Sequence, residues 1–366
     1  MIDKEYRKLK KESYSSVKQF DSDRIKYYQK YILGQYVEDE MSTAMKLGSA
    51  VDCKIFAKDE WDDRFVVATC NLPGGQLGEF TEKLCTLTTA SLDSELKVTR
   101  EIDEMMLEAF NTIKFDKSGK EVKFKGKTFE WVVSQFVGSD AESYYKICRS
   151  QFGKIVLDMN LVNAAEKTIE ELETCDWTKD IILAKSGGDL EVIDQLGITY
   201  EVNDMPFKGM PDRVIINHGD KEYKLGLMTL APKSITPFDL KISWSGEEFQ
   251  YNYYKMKYYL QIASYYLALR SYATVDRPEL MDYTIPSIEF IVGSSNLNSN
   301  PLLYSTNMVN VSEGLLGFEL NGRKCKGLFE LVAEIQWHKK NQLWRNSKEV
   351  YDNNGRMAIK PFVNEI

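Results

Sequence analysis

The sequence predicts a mixed α/β protein, with an α/β core carrying a helical layer at its N-terminal side. Three observations lead there. The first half of the chain repeats its apolar residues at helical spacing. After Gly187-Gly188 the composition turns to β-branched and aromatic residues broken by turn signals. Beyond that block, helix, strand and helix patterns alternate.

Taken in order, residues 1 to 60 read as mostly helical, with Met41, Ala44, Met45, Ala50 and Val51 close to a helical period. Residues 62 to 95 are mixed, with a turn at Pro73-Gly74-Gly75. From 97 to 180 the pattern is helical again, interrupted by a hairpin-like segment near 117 to 127. The stretch 189 to 230 reads as antiparallel strands, with turns at Asn203-Asp204 and His218-Gly219-Asp220. "SITPFDLKI" is a further strand, and "EEFQYNYYKMKYYLQIASYYLALRSY" one long helix. A strand at "SIEFIVGSS" and a helix near "CKGLFELVAEIQWHKKNQLW" close the pattern. No repeat or Pro/Gly/Ser linker divides the chain.

Composition narrows the function classes. The 366 residues, 43% hydrophobic and 28% charged, suit an ordinary globular protein with a real core. No apolar run approaches the roughly 18 residues of a membrane span. The charged start "MIDKEYRKLKKESYSS" has no apolar signal core, and a cytoplasmic location is expected. Six cysteines without a CxxC pair argue for free thiols and against a zinc ribbon, a disulfide framework or an iron–sulfur cluster. Two histidines give no basis for a histidine-rich zinc site. The absence of Gly-x-x-x-x-Gly-Lys-[Ser/Thr] excludes an encoded ATP-driven motor. A net charge of −8 is not that of a DNA-coating protein, yet an enzyme acting locally on DNA needs only one basic channel.

The chemistry-bearing pattern lies in "GMPDRVIINHGDKEYKLGLMTLAPKSITPFDLKIS". Residues i and i+2 of a strand share a face, so Asp239 and Lys241 lie about 7 Å apart along it. Asp212 opens a neighbouring strand and can lie beside them. Two carboxylates at that range suit a hard divalent cation, and a lysine beside the metal can orient or deprotonate a water. Such a site hydrolyses a phosphodiester. The competing reading is an exposed strand face, with Asp212 capping a turn. About twenty residues further on, Gln261 and Tyr265 stand four apart on one helical face.

Four motifs in order then carry a resemblance. They are Gly48-Ser-Ala-Val-Asp52, Lys208-Gly209-Met210-Pro211-Asp212, Asp239-Leu240-Lys241, and Tyr258-Tyr259-Leu260-Gln261 through Tyr265. Across roughly residues 41 to 345 the chain resembles the PD-(D/E)XK nucleases, in their RecB-type and phage exonuclease VIII-like branch. The resemblance implies a restriction-endonuclease-like core, a mixed central sheet flanked by helices. Residues 1–180 would form the mainly helical layer contributing Asp52, and 181–366 the nuclease core packed with it as a single domain.

By that resemblance Asp212, Asp239 and the Leu240 carbonyl would hold Mg²⁺ or Mn²⁺. Lys241 would position the water, and Gln261 and Tyr265 would hold the DNA strand or the lysine. Asp52 stands where the branch usually has a histidine, and is either a further ligand or a solvated helix residue. A second alignment puts Gly226-Leu-Met228 at the Asp-Leu-Lys position, at the more usual spacing from Asp212. It would leave both catalytic residues missing. The first alignment keeps Asp239-Leu-Lys241 and makes "EYKLGLMTLAPK" an inserted excursion.

The expected activity is a metal-dependent DNA exonuclease in phage recombination, replication or DNA processing. An inactive DNA- or protein-binding scaffold and an endonuclease of the same fold are the alternatives. Double-stranded DNA ends, a single-strand annealing protein and further copies of the chain are the expected partners, with no membrane. Lys208, Lys255, Lys257, Lys339, Lys340 and Arg345 are candidate DNA contacts. Most of the tyrosines at 249 to 270 are expected to pack in the core. The basic run at residues 7 to 11 reads as a solvated face.

Overall fold

The structure is a computed structural model and describes residues 6, 8–35, 41–93, 95, 97–116, 118–296 and 299–357. Arg7, in the N-terminal basic run, lies outside them. The chain forms two compact units: Met1–Val37, Ile55–Ala57 and Lys167–Ile366, and Glu38–Lys54 with Lys58–Glu166. Among the described residues no helix is long and apolar enough to cross a membrane.

The unit of Glu38–Lys54 and Lys58–Glu166 is mainly helical. Helices Gly75–Ala90, Ile102–Lys114, Phe129–Phe136 and Asp140–Ser150 gather Phe80, Leu84, Met105, Phe110, Val132 and Phe136 into one core. Their apolar residues recur on one face, as amphipathic helices require. The expected turn at Pro73-Gly74-Gly75 leads into the first of these helices, with Gly75 left-handed at φ 61°. Strand β1 (Phe65–Val67) pairs in parallel with β2 (Ile155–Leu157). β2 falls where the periodicity reads helical, because three residues are too few to register as alternation.

The other unit is built on strands β3 (Leu190–Asp194), β4 (Ile198–Val202), β5 (Met205–Gly209), β6 (Arg213–Asn217), β7 (Tyr223–Leu225) and β8 (Met228–Leu230). They are followed by β9 (Ser234–Ser243), β10 (Glu289–Ser294), β11 (Leu302–Ser305), β12 (Gly317–Leu320) and β13 (Arg323–Lys326). Five of them form a mixed sheet in the order β11-β10-β9-β6-β3. β9 and β10 are parallel, and the other pairs antiparallel. The architecture is therefore mixed α/β, a mixed central sheet with flanking helices.

The three inner strands are buried nearly end to end, which accounts for their unbroken apolar runs. Pro237 sits inside β9 although proline cannot donate to a ladder. The amide of Ile235 points to the β10 side, where it reaches Thr284. Position 237 points the same way, but β10 pairs with β9 only from Phe238 onward, so no ladder bond is lost.

Three hairpins stand outside this sheet. β4 and β5 are joined by Asn203 and Asp204, both at positive φ, the two-residue turn that this pair of residues favours. β7 and β8 form a hairpin around Gly226 and Leu227, while β6 pairs directly with β9. β12 and β13 pair as the third.

The long helix expected from 247 to 272 is broken. It comprises Phe249–Lys255 and Tyr258–Ser271, parted by Lys257 in the left-handed region at φ 57°. Helical spacing continues through the break, so local pattern does not reveal it. The second segment is buried on most of its circumference. One side covers the sheet face formed by Val214, Ile216, Ile235, Phe290 and Val292. Another meets helix Met308–Leu316, an element that the sequence pattern does not mark.

That crossing depends on Gly314. A Cβ there would lie 2.0 Å from the Tyr259 carbonyl oxygen and 2.9 Å from Ala263 Cβ. Gly314→Ala should therefore force the two helices apart and cost about 1–3 kcal/mol, the usual range for overpacking. Urea unfolding of the purified protein measures this. An unchanged midpoint would mean that the helices separate freely.

Candidate functional site

β9 outlasts its neighbour β6. The register pairs Arg213 with Phe238, so Leu240 has no β6 residue opposite it. The amide of Leu240 donates instead to Asp212 Oδ2 at 2.7 Å. A side-chain carboxylate thus continues the ladder where the backbone partner ends. The Asp212 carbonyl accepts from Gln195 on the other side, which fixes the residue between β3 and β9. Asp239 and Lys241 alternate onto the face covered by helix Tyr258–Ser271, as strand periodicity dictates.

Asp239 is 2% exposed and held by three side chains. Gln261 Nε2 donates to its Oδ1 at 2.7 Å, and Tyr265 OH donates to the same oxygen at 2.7 Å. Gln261 Nε2 also reaches Tyr265 OH at 2.9 Å, so the three groups close a ring. The phenol has one proton to give. The carboxylate receives it, since the Met210 carbonyl lies farther off at 3.2 Å. Burial, followed by the charges of Asp239 and Asp212, holds the Tyr265 hydroxyl well above its ordinary pKa. It stays a neutral donor.

Lys241 Nζ pairs with Asp239 Oδ2 and lies 3.5 Å from the Leu240 carbonyl oxygen. Burial works against its charge, but Asp239, with Tyr258 and Asp212 after it, outweighs burial and raises the pKa above that of an ordinary lysine. The ammonium therefore stands beside two of the oxygens expected to hold a metal.

Among the described residues no group of three or more His, Cys, Asp or Glu side chains gathers as a metal cage. The oxygens present still fit a hard divalent cation. Two carboxylates and a backbone carbonyl are a usual protein share for Mg²⁺, with water and phosphate oxygens completing the shell. Gln261 adds a second indication. Its orientation is fixed because Asp239 can only accept, which leaves Oε1 buried with no hydrogen-bond partner among the described residues. An acceptor without a donor suits a site that takes up a further ligand or water.

The remaining expected residues are placed as follows. Asp52 lies in the mainly helical unit, on helix Thr43–Phe56, with Arg64 Nη2 3.7 Å from its carboxylate. Lys208 donates to the Tyr6 carbonyl at 2.9 Å and lines a cavity of about 490 Å³ together with Gln261 and Tyr265. Lys257 is paired with Asp21, and Lys339 with Glu12 at 2.8 Å. Both ammonium groups are thus engaged within the chain. Lys255, Lys340 and Arg345 are exposed. Met228 sits on the β7–β8 hairpin outside the sheet, and Asp239 on the strand beside β6.

Sequence reasoning missed Tyr14 and Lys18, on helix Tyr14–Ser22. Tyr14 OH donates to the Met256 carbonyl at 2.8 Å, at the break in the long helix. Lys18 Nζ lies over the ring of Tyr258. Only the spacing of four between them marks them as sharing a helix face. Nothing local says what that face meets.

Compared with known proteins, the chain matches no family model and no curated protein. Among solved structures it is similar to a provisionally assigned exonuclease from Eubacterium rectale, with 13% identity and a TM-score of 0.45. That match covers 99% of this chain and 96% of the other. A likeness at that level transfers no residue role.

The ring around Asp239 makes a stability prediction. Gln261→Leu keeps the volume and removes both donors, which should lower the unfolding free energy by about 1.5–3 kcal/mol, as for bonds to a charged group. Tyr265→Phe should cost a similar amount. The double variant should lose less than the sum, because the residues share one network. Denaturant unfolding of all three variants measures this, and strict additivity would mean that they act separately.

Proposed function

We propose that this protein is a divalent-metal-dependent deoxyribonuclease of the PD-(D/E)XK kind, hydrolysing DNA phosphodiester bonds as an exonuclease at double-stranded ends. The observation that carries the proposal is the convergence of Asp212, Asp239 and Lys241 where β9 outlasts β6, with Asp239 fixed by Gln261 and Tyr265. Restraint of one carboxylate by two further side chains exceeds what a solvated strand face needs.

Asp212, Asp239 and the Leu240 carbonyl would hold Mg²⁺ or Mn²⁺. The ion would lower the pKa of a bound water and neutralise charge on the phosphate. Gln261 and Tyr265 keep the Asp239 carboxylate in one orientation in advance of the reaction. Lys241 orients the attacking water from the same strand face. Phage recombination or replication, an annealing-protein partner and self-association rest on the sequence resemblance, and a cytoplasmic location on the charged N-terminal sequence.

One observation favours a second reading, a catalytically silent scaffold. The Lys241 ammonium forms an ion pair with Asp239, one of the two carboxylates expected to hold the metal. Metal binding separates the two. A nuclease should gain stability from Mn²⁺, by about 2.7 kcal/mol at a hundred times the dissociation constant, and Asp239→Ala should abolish the gain. A scaffold shows no such shift.

For the chemistry, linear DNA should be degraded with Mg²⁺ or Mn²⁺ and covalently closed DNA spared. Asp212→Ala and Asp239→Ala should end cleavage. Lys241→Ala should slow it on the order of 10²-fold or more, with DNA binding in Ca²⁺ retained. Met228→Ala should stay within a few-fold of wild type. Cleavage of closed circles would point to an endonuclease instead.

Asp52 has its own test. If it is a ligand, Asp52→Ala should cut activity at least roughly tenfold, and Asp52→His should leave a working enzyme. Unchanged activity in Asp52→Ala would return it to the reading of a solvated helix residue.

A further inference from the structure

The N-terminal helix brings an additional cation to this site. Its approach is fixed at its start. Glu12 joins the edge of β5 through backbone bonds, Glu12 N–H to the Pro206 carbonyl at 3.1 Å and Lys208 N–H to the Glu12 carbonyl at 2.8 Å. The Glu12 carboxylate accepts from Tyr27 OH and Ser16 Oγ, each at 2.7 Å, and from Lys339 at 2.8 Å. Tyr14 OH then ties the helix to Met256. Lys18, one turn beyond Tyr14, is held over the ring of Tyr258, with Nζ 5.9 Å from its centroid. Lys241 Nζ lies over the same ring, 5.1 Å from the centroid.

The acids nearby are already paired. Asp239 holds Lys241, Asp21 holds Lys257 and Glu12 holds Lys339. Among the described residues no carboxylate pairs with Lys18 Nζ. Burial, then Lys241, then Lys257 push its pKa below that of an ordinary lysine. The ammonium is half-buried, close to like charges and without a counter-ion among the described residues. Such a charge is costly unless a ligand supplies the opposite sign.

We propose that Lys18 is a phosphate-binding residue, receiving a backbone phosphate of the DNA beside the Asp239–Lys241 pair. The proposal rests on the nuclease reading. With a net charge of −8 the chain offers DNA no general attraction, so a locally unmatched cation has a large share in holding the strand.

The test uses the full chain and a linear duplex in Ca²⁺, with affinity measured over a range of salt concentrations. Lys18→Met keeps an apolar stem and removes the charge. It should weaken binding about tenfold irrespective of sequence and reduce the slope of log affinity against log salt by about one. Under Mg²⁺ it should raise KM more than it lowers kcat. Lys18→Arg should restore both the affinity and the slope, which a packing role would not require. If the wild type binds and cleaves DNA while Lys18→Met keeps its affinity and salt slope, the proposal is wrong and the nuclease reading stands. If the wild type neither binds nor cleaves DNA, both fall together.

Discussion

The amide of Leu240 needs an acceptor. β6 ends two residues too early to provide a carbonyl, and Asp212 Oδ2 takes its place at 2.7 Å. A buried amide left without a partner would cost about 1–3 kcal/mol, so this bond pins Asp212 to the next strand. Because Leu240 lies between Asp239 and Lys241, the same bond brings three charged groups to one strand end. The mixed sheet order, with β9 between β6 and β10, makes that end available.

The second constraint is the helix laid over it. Gln261 and Tyr265 reach Asp239 only if Tyr258–Ser271 keeps its rotation and height above the sheet. Two features hold it there. Gly314 lets a neighbouring helix approach to backbone contact on one side. At its start the left-handed Lys257 redirects the chain, while Tyr14 takes the Met256 carbonyl that the interrupted helix leaves open. The expected single long helix would have carried the aromatic run straight past this point.

Electrostatics follow from the same geometry. The charges of the site are mostly balanced in neighbouring pairs, Lys241 with Asp239, Lys257 with Asp21 and Lys339 with Glu12. This explains why two lysines read from sequence as candidate DNA contacts are occupied within the chain. It also makes Lys18 stand out, since no carboxylate pairs with it among the described residues and the charges of Lys241 and Lys257 act against its own.

What the sequence determined by itself was what depends on short-range periodicity. The period of two puts Asp239 and Lys241 on one strand face, and the spacing of four puts Gln261 and Tyr265 on one helix face. Asn203-Asp204 marks its own turn by tolerating positive φ. The tertiary structure decided what meets these faces. Whether Asp212 joins Asp239 depends on the register of two strands separated by a hairpin, and no local preference specifies that register. The bond from Tyr14 to Met256 spans 242 positions, and the placement of Lys18 goes with it. Such contacts come from burying distant apolar surfaces together, so neither Tyr14 nor Lys18 carries a sign of its partner in its own neighbourhood.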